Sequence, residues 1–134
     1  MIEAYSQNIA VNANSFIPFE NVKIDKGCFE NIRNASILFN RCGVYRITVS
    51  GTIEATEAGD VVLELVKDGA VQSDTTTQAT VAATGFYPVS FTTFLQVNKN
   101  NSDCCCSSPT TIGIRNSGIA TSFANIKIDV DKIC

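Results

Sequence analysis

The chain has 134 residues, a net charge of −3, 45% apolar and only 17% charged residues, and no histidine or tryptophan. That length suits one domain with one core, and that apolar content is too high for a disordered chain. No apolar run approaches the roughly 20 residues of a membrane-spanning helix, lysines and arginines are scattered singly instead of forming a nucleic-acid-binding patch, and the missing histidine removes most general-base, serine–histidine and histidine–metal chemistry.

In chain order, the opening Met1-Ile2-Glu3-Ala4-Tyr5-Ser6 has no basic stretch leading into an apolar one, so no signal peptide is expected. Ile9-Ala10-Val11, Val22-Lys23-Ile24 and Ser36-Ile37-Leu38-Phe39 are short strand candidates. From Tyr45 to Ile53 the odd positions are apolar or glycine and the even ones are Arg46, Thr48, Ser50 and Thr52, the pattern of a half-buried strand. Val61, Leu63 and Leu65 share one face of the next strand, and Asp68-Gly69 turns the chain as a hairpin into a polar strand over 70–78. Val89, Phe91, Leu95 and Val97 point inward on the following strand, which leaves Phe94 on the opposite face. A loop of polar and cysteine residues spans 98–109, a short strand covers Thr111 to Arg115, and Ala124 to Val130 closes the chain with its even positions apolar. About eight to ten short strands with turns between them make an all-β, antiparallel sandwich, a single domain over 1–134.

The Gly43-Val44-Tyr45 opening of one strand, the Val61-to-Gly69 strand and turn, the Phe91-to-Val97 strand, and Ile112-Gly113-Ile114 followed by Phe123-to-Val130 resemble the tumour-necrosis-factor/complement-head superfamily of jelly rolls. The resemblance covers roughly residues 7–131 and implies a jelly-roll sandwich that assembles as a homotrimer. Within that superfamily the Ile2-to-Gln7 opening, the Cys104-to-Thr111 segment and the Val130-to-Cys134 end are similar to small structural proteins encoded by phages and prophages. This implies a virion protein, a capsid decoration or fibre head, made in the host cytoplasm and partnered by itself and by capsid or other virion proteins.

On jelly-roll topology, Cys28, Cys42, Cys104, Cys105, Cys106 and Cys134 all gather at one end of the sandwich. Three readings stay open. They can form disulfides that staple the loops, in a pairing that sequence cannot choose. Cys42, Cys104, Cys105, Cys106 and Cys134 can supply a thiolate metal site, although three adjacent cysteines lack the spacing of a typical zinc half-site. They can also stay free or link neighbouring chains.

Asp129 and Asp131 share a face of the last strand, where solvated carboxylates are a simpler account than a calcium site. Glu54, Glu57 and Asp60 flank a turn and show no sign of a catalytic carboxylate pair. Asn34-Ala35-Ser36 reads as turn chemistry. The outward row Thr48, Ser50, Thr52 and Thr92 is either an ordinary wet β-face or a subunit contact anchored by Phe86, Tyr87 and Phe94. The expectation is therefore a non-enzymatic, cofactor-free phage structural protein with no nucleic-acid or membrane partner. The alternative is a receptor- or glycan-binding module on a bacterial or spore surface.

Overall fold

The computed structural model describes residues 1–25, 30–33, 35–41, 43–72, 75–97 and 105–133. Their strands are β1 (Ile2–Val11), β2 (Ser15–Phe16), β3 (Asn21–Asp25), β4 (Glu30–Arg33), β5 (Ser36–Arg41), β6 (Gly43–Ala55), β7 (Gly59–Lys67), β8 (Ala70–Val71), β9 (Thr77–Val81), β10 (Gly85–Val97), β11 (Cys105–Asn116) and β12 (Thr121–Lys132). Two antiparallel sheets face each other. One has the order β10-β6-β12-β1-β3, and the other runs β4-β5-β11-β7-β8 with β2 on β11 and β9 on β7.

Alternation drives this arrangement. Tyr45, Ile47, Val49 and Ile53 of β6, Ile126, Ile128 and Val130 of β12, and Ile2 and Ala4 of β1 turn into the sandwich. They meet Ile37 and Phe39 of β5, Val61, Leu63 and Leu65 of β7, and Ile112 and Ile114 of β11. Each such valine, leucine, isoleucine or phenylalanine contributes about 1.5–3 kcal/mol by leaving water. Between the sheets the Phe39 and Tyr45 rings meet at 4.3 Å, tilted by 50°.

The β7–β8 hairpin turns on Asp68 (φ 49°) and Gly69 (φ 85°), the left-handed pair that a two-residue loop requires. The expected strand over 70–78 divides in two. The Thr75 hydroxyl accepts from the Leu65 N–H at 3.0 Å and donates to the Gln72 carbonyl at 2.6 Å, so a side chain replaces the ladder between β8 and β9. β1 is far longer than the expected Ile9–Val11: it pairs with β12 from Ile2 to Val11, and its buried Ser6 finds partners in the segment after β2. Its hydroxyl donates to the Pro18 carbonyl at 2.6 Å and accepts from the Glu20 N–H at 2.9 Å. β11 begins at Cys105, inside the segment expected as loop, and its register with β5 shifts between Cys105 and Thr110. β4 pairs antiparallel with β5, from Glu30 opposite Phe39 to Arg33 opposite Ser36.

β6 lies between β10 and β12 and joins the two halves of its sheet. Its register with β12 shifts between Phe123 and Asn125. Gly51 makes that closure fit: a Cβ there would collide with the Asn125 carbonyl oxygen and stand 2.9 Å from the Ile126 backbone. At the far end of β11, fully buried Asn116 donates to the Ile119 carbonyl at 2.8 Å and accepts from the Gly118 N–H at 3.1 Å, which holds the turn into β12.

Candidate interaction face

The core takes the inward residues of the five-stranded sheet, so its outer face is made by the others. Cross-strand register sets them in rows. Phe94 lies beside Arg46 and then Asp131; Thr92 beside Thr48, Asp129 and Glu3; Ser90 beside Ser50, Lys127 and Tyr5; and Pro88 beside Thr52. The rows divide the face. On β12, β1 and β3 it is charged; on β10 and the middle of β6 it is not.

The charged half is a bonded network. Lys127 Nζ lies 3.7 Å from Glu3 Oε2 and 3.6 Å from Asp129 Oδ2, and Lys23 Nζ lies 3.4 Å from Glu3 Oε2. Arg46 donates to Asp131 Oδ2 at 3.3 Å. Asp129 directly faces Glu3 across the β1–β12 ladder, and its Oδ1 is buried with no hydrogen-bond partner among the described residues. Burial pushes the Asp129 carboxyl above the usual carboxylate range; Lys127 opposes that shift and Glu3 adds to it. A shallow open depression of about 440 Å³ lies where the two halves meet, lined by Met1, Glu3, Arg46, Thr48, Thr92, Asp129 and Asp131. Among the described residues no group of three or more acidic or cysteine side chains is arranged to hold a metal ion.

The uncharged half is flat and small-residued. Thr48 and Thr92 share a hydroxyl hydrogen bond at 3.2 Å. Phe86 and Phe94 stand at the two ends of β10 with 67% and 62% of their surface exposed. Eight residues of strand separate them by about 27 Å. They are anchors at opposite ends of a strip, with Pro88, Ser90 and Thr92 between.

The structure separates the three aromatics that the sequence grouped. Phe86 and Phe94 face outward, whereas Tyr87 packs against the core and its hydroxyl accepts from the Ala82 N–H at 3.2 Å. Asp129 and Asp131 do share a face, but only Asp131 has the solvated character expected of both. The Asp129 side chain is 28% exposed. Of the cysteines, Cys28, Cys42, Cys104 and Cys134 lie outside the described residues, as does Asn34. Cys105 and Cys106 are placed by their backbone alone, at the start of β11. Sequence reasoning missed the Glu3–Lys23–Lys127–Asp129 network. Its members come from three strands, and only the register of β1 with β12 and β3 brings them together.

No family model and no curated protein sequence matches the chain. Solved structures do. The globular domain of a zebrafish complement 1qA protein superposes with a TM-score of 0.69 at 10% identity, over 99% of this chain and 96% of that one. Murine APRIL superposes with a TM-score of 0.64 at 7% identity, covering 98% of each chain. The phage PRD1 vertex protein P5 superposes with a TM-score of 0.60 at 15% identity, over 99% of this chain and 96% of that one. With both sheets and nearly the whole length matched at such low identity, the chain has the jelly-roll fold common to tumour-necrosis-factor-family ligands, complement heads and a phage vertex protein.

Proposed function

We propose that the protein is a non-enzymatic structural module of a phage particle, a capsid decoration or fibre-head protein that assembles as a homotrimer through the uncharged half of its outer sheet face. The observation that carries this reading is the strip on β10 and β6. It holds no charge between its ends, and it exposes Phe86 and Phe94 on a face whose other half is densely charged. Association faces deplete charge at their centre and enrich aromatics, because a charge buried without a partner is costly and a ring releases much water. Threonine and serine hydroxyls at the centre can hydrogen-bond across such a contact. The trimer also agrees with the homotrimeric habit that the jelly-roll resemblance implies, and the virion location with the likeness to a phage vertex protein.

The test is solution mass by light scattering, with and without reductant. A mass near three chains is expected in both conditions, which also separates association through the face from cross-linking by Cys28, Cys42, Cys104, Cys105, Cys106 or Cys134. In Phe86→Ser/Phe94→Ser the mass is expected to fall to one chain with the melting temperature of the isolated chain unchanged, since both rings are solvent-exposed within it. A wild-type monomer at all concentrations overturns the trimer.

A further inference from the structure

β10 is the outermost strand of its sheet and a hazardous one. It runs for 13 residues, Gly85–Val97, without a charged side chain. Long, uncharged edge strands invite another strand to add to them. Which main-chain groups it offers follows from its partners. The Val44 carbonyl accepts from the Ile133 N–H at 2.7 Å, on the β12 side, so Val44 turns its backbone groups away from β10. Gln96 is paired with Val44, and its carbonyl accepts from Lys67 Nζ of the other sheet at 3.3 Å, away from β6. The register between β10 and β6 is unbroken, so parity carries along the strand. Phe86, Ser90, Thr92, Phe94 and Gln96 direct their N–H and C=O groups to the free side, and Pro88 directs its carbonyl there. Among the described residues no strand pairs with that side.

The same parity gives Pro88 a meaning. Opposite Thr52 it faces the free side, so its missing N–H takes nothing from the ladder with β6 and removes a donor only from the open edge. In the antiparallel pairing of β10 with β10 of a second copy centred on Phe91, Ser90 would meet Thr92, Pro88 would meet Phe94, and Phe86 would meet Gln96. No like charges would oppose that register. Pro88 leaves the Phe94 carbonyl without its donor on both sides of the two-fold axis, and Lys67 already occupies the Gln96 carbonyl. We infer that Pro88 and Lys67 close the free edge of β10 against main-chain pairing with the β10 of a second copy. The strand is left able to meet a partner by its side chains and unable to extend its sheet. This holds for a monomer as for a trimer.

The experiment compares wild type, Pro88→Thr/Lys67→Ala, and that variant with Ser90→Lys added, by light scattering at matched concentrations and by thermal melting. Pro88→Thr/Lys67→Ala is expected to at least double the wild-type mass while keeping its melting temperature. Ser90→Lys, which sets a charge in the centre of the opened edge, is expected to return the mass to the wild-type value. A folded double variant of unchanged mass overturns the inference, and so does a mass increase that Ser90→Lys does not reverse. Hydrogen exchange on wild type gives an independent reading. The Ser90, Thr92 and Phe94 amides are expected to exchange fast and those of Phe91, Thr93 and Leu95 slowly; equal protection of the two sets also overturns it. The wild-type mass itself, one chain or three, decides the trimer separately.

Discussion

Across one sheet face, the half on β10 and the middle of β6 shows hydroxyls, a proline and two phenylalanines, with Glu54 and Arg46 of β6 at its two ends, while the half on β12, β1 and β3 shows Glu3, Lys23, Lys127, Asp129 and Asp131. The backbone under both is the same antiparallel ladder. What differs is how each half stands toward water. In the charged half Lys23 and Lys127 each have a carboxylate within 4 Å, so both are already paired within one chain, and covering them with an apolar partner would strip water from ions that gain no new contact. In the uncharged half covering costs little and releases the Phe86 and Phe94 rings from water. Two surfaces with opposite preferences, side by side, give the face a direction: it can be half covered.

The largest effect is expected where the halves join. Gly51→Val places a branched side chain against the Asn125 carbonyl and the Ile126 backbone, neither of which is a flexible side chain that can swing away. A loss of about 3 kcal/mol or more is expected, read as a fall in the denaturant midpoint. A near-neutral result would mean that β12 can slide on β6, and that the rows across the face are not held in register. Ser6→Ala comes next. It leaves the Glu20 N–H and the Pro18 carbonyl without their partner under the charged half, with an expected cost of about 1–3 kcal/mol by the same measurement. The uncharged half shares no bond with Ser6, so association through Phe86 and Phe94 is expected to survive in the folded variant.

These two residues also mark where sequence reading stops. β6, β7, β10 and β12 were legible because alternation along each is long and regular, and Phe94 was legible as the apolar residue out of phase. Most of β1 was not, since buried Ser6 reads as a surface residue until Pro18 and Glu20 are known to meet it. The break between β8 and β9 was hidden for a similar reason. Thr75 looks like one more polar strand residue, and only the fold sets its hydroxyl on the Leu65 amide. Phe86 and Tyr87 are adjacent in sequence, and adjacency on a strand means opposite faces, so alternation alone could have separated them. The charged network needed pairing register between strands more than 100 residues apart, Glu3 with Asp129, which no local pattern carries.

The smallest effect tests the charged half by pH. Burial holds the Asp129 carboxyl above its ordinary value, and among the described residues Oδ1 has no donor to offset the lost water. Lys127 opposes the shift from the same strand, Glu3 reinforces it from β1, and Lys23 opposes it from β3. Arg46 of β6 is engaged with Asp131. For an acid raised on folding, the native chain binds the proton more tightly than the unfolded one. Stability from this group is therefore lost as pH rises from the ordinary carboxylate value through the raised one, and the loss persists above it. Asp129→Asn removes the ionisable group. At about pH 7 the variant is expected to melt at or slightly above wild type, by ~2 °C, and this advantage is expected to shrink as pH falls toward about 4. Calorimetry across that range would read it. An advantage that instead grows on acidification would mean that the ion pair with Lys127 dominates Asp129 in the native state. The charged half would then be a net stabilising network, and its contrast with the uncharged half would rest on exposure alone.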